Sequence, residues 1–246
     1  MKKQMLILTL SLAMMATGCE TLYKIAEEAI AVTGDPTDTE IVGGLKEALS
    51  SGAANAVSLL SQKGGYGKDP LIRIPFPSEA QFAANALRDI GLGRLVDTLE
   101  ARLNDGAEKG ARMALPIFRD AITQMTFADA RNILLGSENA ATIYFQDKTR
   151  EQLLNAFAPH IKNSLDEVHA TEIWTEITTR YNSIPLVRKK IETDLVRYAT
   201  GRALDGLFAK LALEEKKIRE QPLARSTALL QKVFSYADRQ KPAGGN

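Results

Sequence analysis

The chain has 246 residues and a formal net charge of +1, from 31 basic and 30 acidic side chains. So balanced a charge gives no electrostatic attraction to nucleic acid, and nucleic-acid binding is not expected. The single cysteine excludes an internal disulfide, but a chain of this length can bury a hydrophobic core without one.

The first 18 residues have the three parts of an export signal. Lys2 and Lys3 give a positive start, residues 5–15 are mostly apolar, and small residues follow at 16–18. The apolar run is about half of the roughly 20 residues that a membrane-spanning helix needs. Residues 1–18 are therefore predicted to be a signal peptide, whose removal would change the net charge from +1 to −1 because it carries two lysines and no acidic residue.

Cys19 directly follows the small residues, and Ala16-Thr17-Gly18-Cys19 resembles the lipobox of bacterial lipoproteins. In that class a diacylglycerol is attached to the cysteine sulfur, the leader is cleaved just before it, and the new amino group is acylated. Ala16 stands where the lipobox usually has leucine, and a buried, unmodified cysteine is the alternative interpretation. Two or more acyl chains anchor a protein stably. The resemblance thus implies a lipid-anchored chain that faces the periplasm, and Glu20 in place of aspartate favours the outer membrane.

Helical patterning begins after the predicted anchor. The region 19–38 is predicted to be a lipidated N-terminus with a tether or short helix, and 39–236 to be one all-helical domain. The first helix of the domain is predicted at 39–62, where apolar residues recur near a 3.6-residue period. The glycine- and proline-rich segment 63–78 is predicted to be irregular, with a flexible turn at 64–67.

Breaks and caps divide the middle of the chain. Glycines interrupt the helical pattern at 91–93, and Pro116 must kink or restart a helix because it lacks a backbone donor. Thr126 and Ser137 are predicted N-caps. Thr149 is predicted to open a capping box with Gln152, in a helix that Pro159 ends.

The last third of the sequence is the most regular. Apolar side chains step by four residues from Leu195 onward until Pro222 stops the helix. The last predicted elements are helices at 171–181, 195–221 and 223–236, followed by a disordered polar tail at 237–246. No strand-like alternation persists and no internal repeat is present, so the sequence predicts an all-α fold, a single multi-helix, bundle-like domain behind a signal peptide.

Several short motifs lie in two long segments, 107–145 and 198–234. They are Asp129-Ala130, Ile133-Leu134-x-Gly136, Ala140-Ala141-Thr142-x-Tyr144-Phe145, Ala203-Leu204-Asp205-Gly206-Leu207-Phe208, Glu215-x-x-Ile218-Arg219 and Arg225. With these motifs the chain resembles the bacterial family called domain of unknown function 4197 (DUF4197), from about Leu45 to Phe234. Where that family is expected to have Arg-Ala, this chain has Asp105-Gly106. The resemblance implies an exported helical protein and carries over no catalytic residue, cofactor or ligand.

No known catalytic or cofactor motif is present in the sequence. His160 and His169, the two histidines, lack the spacing of a metal-binding pair, so no metal site is predicted. The turn at 64–67 is glycine-rich but lacks the Lys-Ser/Thr of a phosphate-binding loop, and no nucleophile elbow occurs. With Cys19 acylated, no thiol nucleophile remains. No catalytic residue and no cofactor are therefore predicted, and an enzyme is the less favoured class.

Charged side chains that interrupt apolar stripes are the best candidates for a site. Glu215 and Arg219 continue the four-residue row of the 195–221 helix, and Arg225 follows Pro222. Glu108 lies beside an alanine-lined stripe with Arg112 four residues later. Because a buried carboxylate needs a cation and hydrogen bonds, these residues are predicted to interact. Three interpretations remain open: a salt-bridge network that fixes helix register, a polar ligand site, or hydrolysis by paired carboxylates.

Aromatic residues give a second candidate surface. Tyr144 and Phe145 belong either to the core or, with Tyr66, to a groove for an apolar ligand or a partner helix. The leading functional hypothesis is a non-enzymatic, membrane-anchored periplasmic lipoprotein that binds an envelope partner or maintains the envelope. The second is a carrier of a lipid or other apolar molecule in a helix-lined cavity, for which small residues such as Gly43, Gly44, Ala53 and Ala54 would leave room. The third is a hydrolase that uses paired carboxylates.

Overall fold

The computed structural model describes residues 34–240 except 90, 92, 184, 186–189 and 193. The predicted signal peptide, Cys19 and the tail beyond residue 240 lie outside the described residues. The α-helices are α1 (Asp38–Leu60), α2 (Gln81–Asp89), α3 (Gly93–Ala111), α4 (Ala114–Thr123), α5 (Phe127–Leu134), α6 (Ala140–Asp166), α7 (Ala170–Asn182), α8 (Leu195–Glu220) and α9 (Ala228–Gln240), with 3₁₀ turns at Ser78–Ala80 and Pro222–Ala224. The described part of the chain contains no strand, which confirms the predicted all-α fold. None of its helices is both long enough and apolar enough to cross a bilayer.

Helix α6 occupies the centre of the domain. It packs most extensively against α3 and α8, and α1 packs across α8, α9, α4 and α5. Phe118 of α4, Phe145 of α6 and Phe208 of α8 are fully buried where these helices meet. The ring centroids of Phe118 and Phe145 are 4.7 Å apart, and those of Phe118 and Phe208 are 6.5 Å apart. Both separations are typical of tilted and edge-to-face aromatic packing, which adds to the stabilisation from burial.

Glycines bring α3 and α6 unusually close together. A Cβ atom added to Gly106 would lie 2.6 Å from the Cα of Ile161, and one added to Gly110 would lie 2.9 Å from a ring carbon of Phe157. Gly106 stands where the family was expected to have alanine, and an alanine here would press against α6. The neighbouring departure, Asp105, pairs with Lys109 at 2.8 Å.

Gly106→Ala is expected to lower the free energy of unfolding by about 1–3 kcal/mol, because the added methyl group pushes against the backbone of α6. Gly201→Ala in α8 is the matched control, since nothing lies within 4 Å of its added Cβ. There the better helix propensity of alanine should stabilise the domain by up to about 1 kcal/mol. Urea unfolding of both variants measures the two changes, and effects of the same sign would contradict the close α3–α6 contact.

Pro159 does not end a helix, contrary to the prediction. It lies inside α6, and Thr149, the predicted N-cap, is also inside that helix, where its hydroxyl donates to the Phe145 carbonyl oxygen. Pro159 and Asn155, whose carbonyl loses its helical donor, are both on the exposed side of α6. Water can satisfy that carbonyl, while buried side chains on the opposite face hold the helix in place.

Two other predicted boundaries differ from the structure. Thr126 caps α5 through a capping box with Asp129, as predicted, but α6 begins at Ala140 with Asn139 rather than Ser137 at the N-cap position. The last helix begins at Ala228 and continues to Gln240. Residues 237–240 of the predicted tail are therefore helical, and Ala237 is buried.

The beginning of α1 is fixed to α9 by ion pairs. Thr37 forms a capping box with Glu40, whose carboxylate also pairs with Lys232 at 2.7 Å, and Asp35 pairs with Arg239 at 2.8 Å. The hydrogen bond from Lys232, helped by the one from the Thr37 backbone, lowers the pKa of Glu40 from 4.5 to about 2.

The low pKa of Glu40 predicts a pH-dependent contribution to stability. Its folded-state pKa lies below the unfolded value, so the contribution is fully present above pH 4.5 and is lost as the pH falls through about 2. Lys232→Met should therefore lower the melting temperature at pH 7, and the difference from the wild type should shrink between pH 4.5 and 2. Thermal unfolding followed by circular dichroism at several pH values tests this, with Glu40→Gln as the partner control. A difference that does not change with pH would contradict it.

Candidate functional site

The five charged residues predicted to form one cluster occupy two places in the structure. Glu108 of α3 binds the turn at 64–67, whereas Glu215 of α8 binds the start of α6. Tyr66, in that turn, hydrogen-bonds to Ala203 of α8, twelve residues before Glu215, which is about 18 Å along a helix at about 1.5 Å per residue. The two carboxylates therefore do not share a site, and hydrolysis by the paired carboxylates is not supported by this geometry.

The side chain of Glu215, on a different helix, caps the N-terminus of α6. It is 8% exposed and pairs with Arg219, which is 6% exposed, at 2.9 Å. The carboxylate also accepts hydrogen bonds, each of 2.9 Å, from the backbone N–H groups of Ala141 and Thr142 and from the Thr142 hydroxyl. The first N–H groups of a helix lack helical partners, and a negative charge there is favoured by the helix dipole. Both carboxylate oxygens are thus engaged by the protein's own donors.

Arg219 and Arg225 bind the C-terminal ends of helices. Arg219 donates to the Ile133 and Leu134 carbonyl oxygens at the end of α5, at 2.8 and 3.2 Å. Arg225 donates to the Ile218 and Arg219 carbonyl oxygens at the end of α8, at 3.1 and 2.8 Å. Each guanidinium therefore satisfies the last carbonyls of a helix, where a positive charge is favoured.

The charges form one chain across four helices. Arg225 pairs with Asp238 of α9 at 2.8 Å, so Glu215, Arg219, Arg225 and Asp238, here called the helix-end network, link α5, α6, α8 and α9. Of the three interpretations that the sequence left open, this geometry supports the network that fixes the positions of helices. Arg112 does not take part: it is exposed and donates to the Ser61 carbonyl oxygen at 3.5 Å.

A small apolar cavity lies beside the helix-end network. Glu215 and Arg219 form part of its wall together with Phe145, Phe234 and apolar residues of α1. The cavity has a volume of about 30 Å³. A water needs roughly 10–15 Å³, so the cavity has room for about two waters. A second apolar cleft, between α3 and α7, offers about 60 Å³ by the same measure. Neither space holds a lipid chain as it stands, so the carrier hypothesis stays a prediction.

The aromatic residues predicted to line a groove are held by hydrogen bonds or buried. Tyr66 is 0% exposed and donates its hydroxyl to the Ala203 carbonyl oxygen at 2.9 Å. Burial, with a smaller contribution from the charge of Glu108, raises the pKa of that hydroxyl well above its usual range. Tyr144 donates to the Ala121 carbonyl oxygen at 3.0 Å, and Phe145 is in the aromatic core. Tyr66 and Phe145 are buried in the core, and Phe145 also lines the small apolar cavity.

A row of polar side chains on α3, of which only Glu108 was singled out in the sequence, fixes the irregular segment. Glu100, Asn104 and Glu108 recur every four residues and so share one face of the helix. Glu108 accepts hydrogen bonds from the N–H groups of Gly64, Tyr66 and Gly67 at 3.0, 3.2 and 3.3 Å. We call Glu100, Asn104 and Glu108 the acceptor row.

The other two members of the acceptor row bind further along the segment. Asn104 pairs with both the N–H and the carbonyl of Ile74, each at 2.9 Å, and Glu100 accepts from the Phe76 N–H at 3.1 Å. The turn at 64–67, which the sequence predicted to be flexible, is therefore hydrogen-bonded at three positions. The four-residue spacing of the acceptor row along α3 was the available signal for this contact.

A polar cleft lies between the acceptor row and the segment that it binds. The cleft has a volume of about 490 Å³. It is lined by Lys63, Gly64, Gly67, Lys68, Arg73, Asp97, Glu100, Ala101, Asn104, Asp105 and Glu108. We call this space the polar cleft, and it lies apart from the helix-end network.

The histidines do not form a metal site with other described residues. His160 lies on α6, and His169 is exposed after it, with Nδ1 3.9 Å from a Glu172 oxygen. Among the residues that the structure describes, no group of three or more His, Cys, Asp or Glu side chains is arranged to hold a metal ion.

Comparison with known proteins identifies the family. A family model described as "Protein of unknown function (DUF4197)" matches residues 35–235. No curated protein and no solved structure matches the chain. The matched range includes the acceptor row and, except for Asp238, the helix-end network. Because that model covers most of the chain, the protein belongs to the DUF4197 family.

Proposed function

We propose that this DUF4197 protein is a lipid-anchored, periplasm-facing protein whose helical domain is a non-enzymatic binding or envelope-maintenance module. The observation that carries the proposal is the leader that ends in Ala16-Thr17-Gly18-Cys19. A diacylglycerol on the Cys19 sulfur and an acyl group on its nitrogen would supply more than one chain, which is the requirement for stable anchoring. The membrane is the first partner, and an envelope protein is the second.

The distance from Cys19 to the domain fits such an anchor. Helix α1 begins at Asp38, 19 residues after Cys19. A chain of that length spans at most about 65 Å when fully extended. Because Asp35 forms an ion pair with Arg239, the chain from Cys19 would join the domain beside the C-terminal end of α9. The domain would stay within tens of ångströms of the membrane surface, where an envelope partner is within reach.

The partners of the charged residues argue against catalysis by paired carboxylates. Glu215, Arg219 and Arg225 are occupied by helix ends, and Glu108 is occupied by the turn at 64–67. A hydrolase with paired carboxylates would need both acids at one substrate. Turnover of a defined substrate that is abolished by changing Glu108 or Glu215 would overturn the non-enzymatic proposal.

Mass spectrometry of the chain produced in a bacterial envelope tests the anchor. The expected mature protein begins at Cys19 and carries diacylglycerol and an N-acyl chain, and it fractionates with the outer membrane. Cys19→Ser should abolish lipidation and leave the leader attached. Glu20→Asp keeps Cys19 and should move the protein toward the inner membrane. An unacylated Cys19 in the wild-type protein would contradict the proposal.

A further inference from the structure

The acidic residues of the polar cleft each have a partner of their own. Asp97 pairs with Arg88 at 3.0 Å, and Asp105 pairs with Lys109 at 2.8 Å. Glu108 accepts the three backbone N–H groups of the turn at 64–67. Glu100 accepts the Phe76 N–H at 3.1 Å. The two aspartates are therefore paired with cations, and the carboxylates of the two glutamates are held by backbone N–H groups.

The cations of the cleft have fewer acidic partners. Lys63 and Lys68 are exposed, and neither forms an ion pair with another residue in the described part of the chain. Arg73 approaches Glu100 only to 3.8 Å, longer than the roughly 2.7–2.9 Å of a charge-assisted hydrogen bond. An arginine has five N–H donors, so Arg73 keeps donors for a further acceptor.

The turn that carries the two lysines is fixed rather than adaptable. Gly64 has φ of 87°, and a Cβ atom added to Gly65 would lie 2.5 Å from the carbonyl oxygens of Leu59 and Leu60. The methylene groups of Lys68 lie against Gly64, so its side chain follows the same turn that begins with Lys63. A loop whose backbone is held in place before binding loses less conformational entropy when it binds a ligand.

We propose that the polar cleft binds an anionic phosphate group between Lys63, Lys68 and Arg73. The inference deepens the proposed function and rests on it in taking the domain to be a binding module, but it does not depend on the lipid anchor. The open volume of about 490 Å³ falls within the roughly 300–1,000 Å³ of small-molecule sites. The anion has two sources, a free solute and the phosphate of a lipid headgroup at the membrane to which the chain is anchored.

Titration calorimetry at low ionic strength tests the proposal on the full mature chain in neutral detergent micelles. The probes are inorganic phosphate and short-chain phosphatidylglycerol, with phosphatidylcholine as the lipid control. Lys63→Gln/Lys68→Gln should weaken the binding of the anionic probes about tenfold or more, because two charges that each contribute at an exposed site are lost. Lys216→Gln/Lys217→Gln removes two exposed lysines from α8 and should leave binding unchanged.

Each outcome decides between the alternatives. Lysine-dependent binding of phosphatidylglycerol that is tighter than binding of phosphate supports a headgroup, and equal binding of the two supports a free anion. Absence of binding, or equal binding by all variants, overturns the proposal. Repeating the phosphate titration on Cys19→Ser separates the two hypotheses, since binding should persist when the anchor is lost.

Discussion

Replacing Arg219 by methionine is expected to lower the free energy of unfolding by about 3–5 kcal/mol, the cost of leaving one partner of a buried ion pair uncompensated. Methionine keeps much of the apolar length of the side chain but removes every donor. Glu215, whose side chain is 8% exposed, would lose its cation, and the Ile133 and Leu134 carbonyl oxygens would lose their donor. Unsatisfied buried groups are more costly than the average hydrogen bond is stabilising.

Urea unfolding of Arg219→Met measures this effect against a matched ion pair. Lys216 and Glu220 on the same helix are also four residues apart, but their atoms are 3.8 Å apart and both side chains are exposed to water. Lys216→Met should therefore change stability by less than about 1 kcal/mol. A loss below about 1 kcal/mol for Arg219→Met would show that water compensates Glu215.

Introducing Glu215→Gln into the wild type and into Arg219→Met separates the contribution of the ion pair to stability from that of lost packing. If Arg219 acts through the carboxylate, the double variant should be more stable than the sum of the single effects implies, by about 1 kcal/mol or more. Glutamine retains one acceptor oxygen for the N-terminus of α6, so the helix start remains partly capped. Additive effects would assign the loss to Arg219 contacts other than Glu215.

Local patterns predicted most helix positions, because periodicity and breakers act within a few residues. The predicted helices at 39–62 and 171–181 agree with α1 and α7 to within two residues, and Pro222 follows the end of α8 as expected. Pro159 was misjudged because the rule that proline ends helices assumes that the freed carbonyl has no other partner. Here the packing of α6 against α3 and α8 outweighs the local penalty.

The site residues could be predicted only in part, because their partners are distant in the sequence. The spacing of Glu215 and Arg219 indicated an ion pair on one helix face, but their other partners lie 73 to 86 residues away. No local signal in the sequence indicates that Glu215, rather than Ser137, caps the N-terminus of α6. The acceptor row is different, since its four-residue spacing is visible in the sequence and only its backbone partners were hidden.

The second large effect is expected at Glu108, the member of the acceptor row with the most partners. Glu108→Ala should lower the free energy of unfolding by about 2–4 kcal/mol, since hydrogen bonds to a charged group contribute about 1.5–3 kcal/mol each. The loss is smaller than three such bonds because Gly64 and Gly67 are partly exposed beside the polar cleft, where water can replace the carboxylate. Tyr66 is buried, and its N–H would have no such replacement.

Hydrogen exchange distinguishes this account from a general loss of stability. Glu108→Ala should accelerate exchange at the Gly64, Tyr66 and Gly67 amides more than at the amides of α6, because the variant releases the turn before the core opens. Glu151→Ala, on the exposed face of α6, is the control and should change stability by less than about 0.5 kcal/mol. Equal acceleration everywhere would mean that Glu108 stabilises the whole fold rather than the turn. Selective release of the turn would show that α3 uses a buried carboxylate to hold in position the loop that carries Lys63 and Lys68.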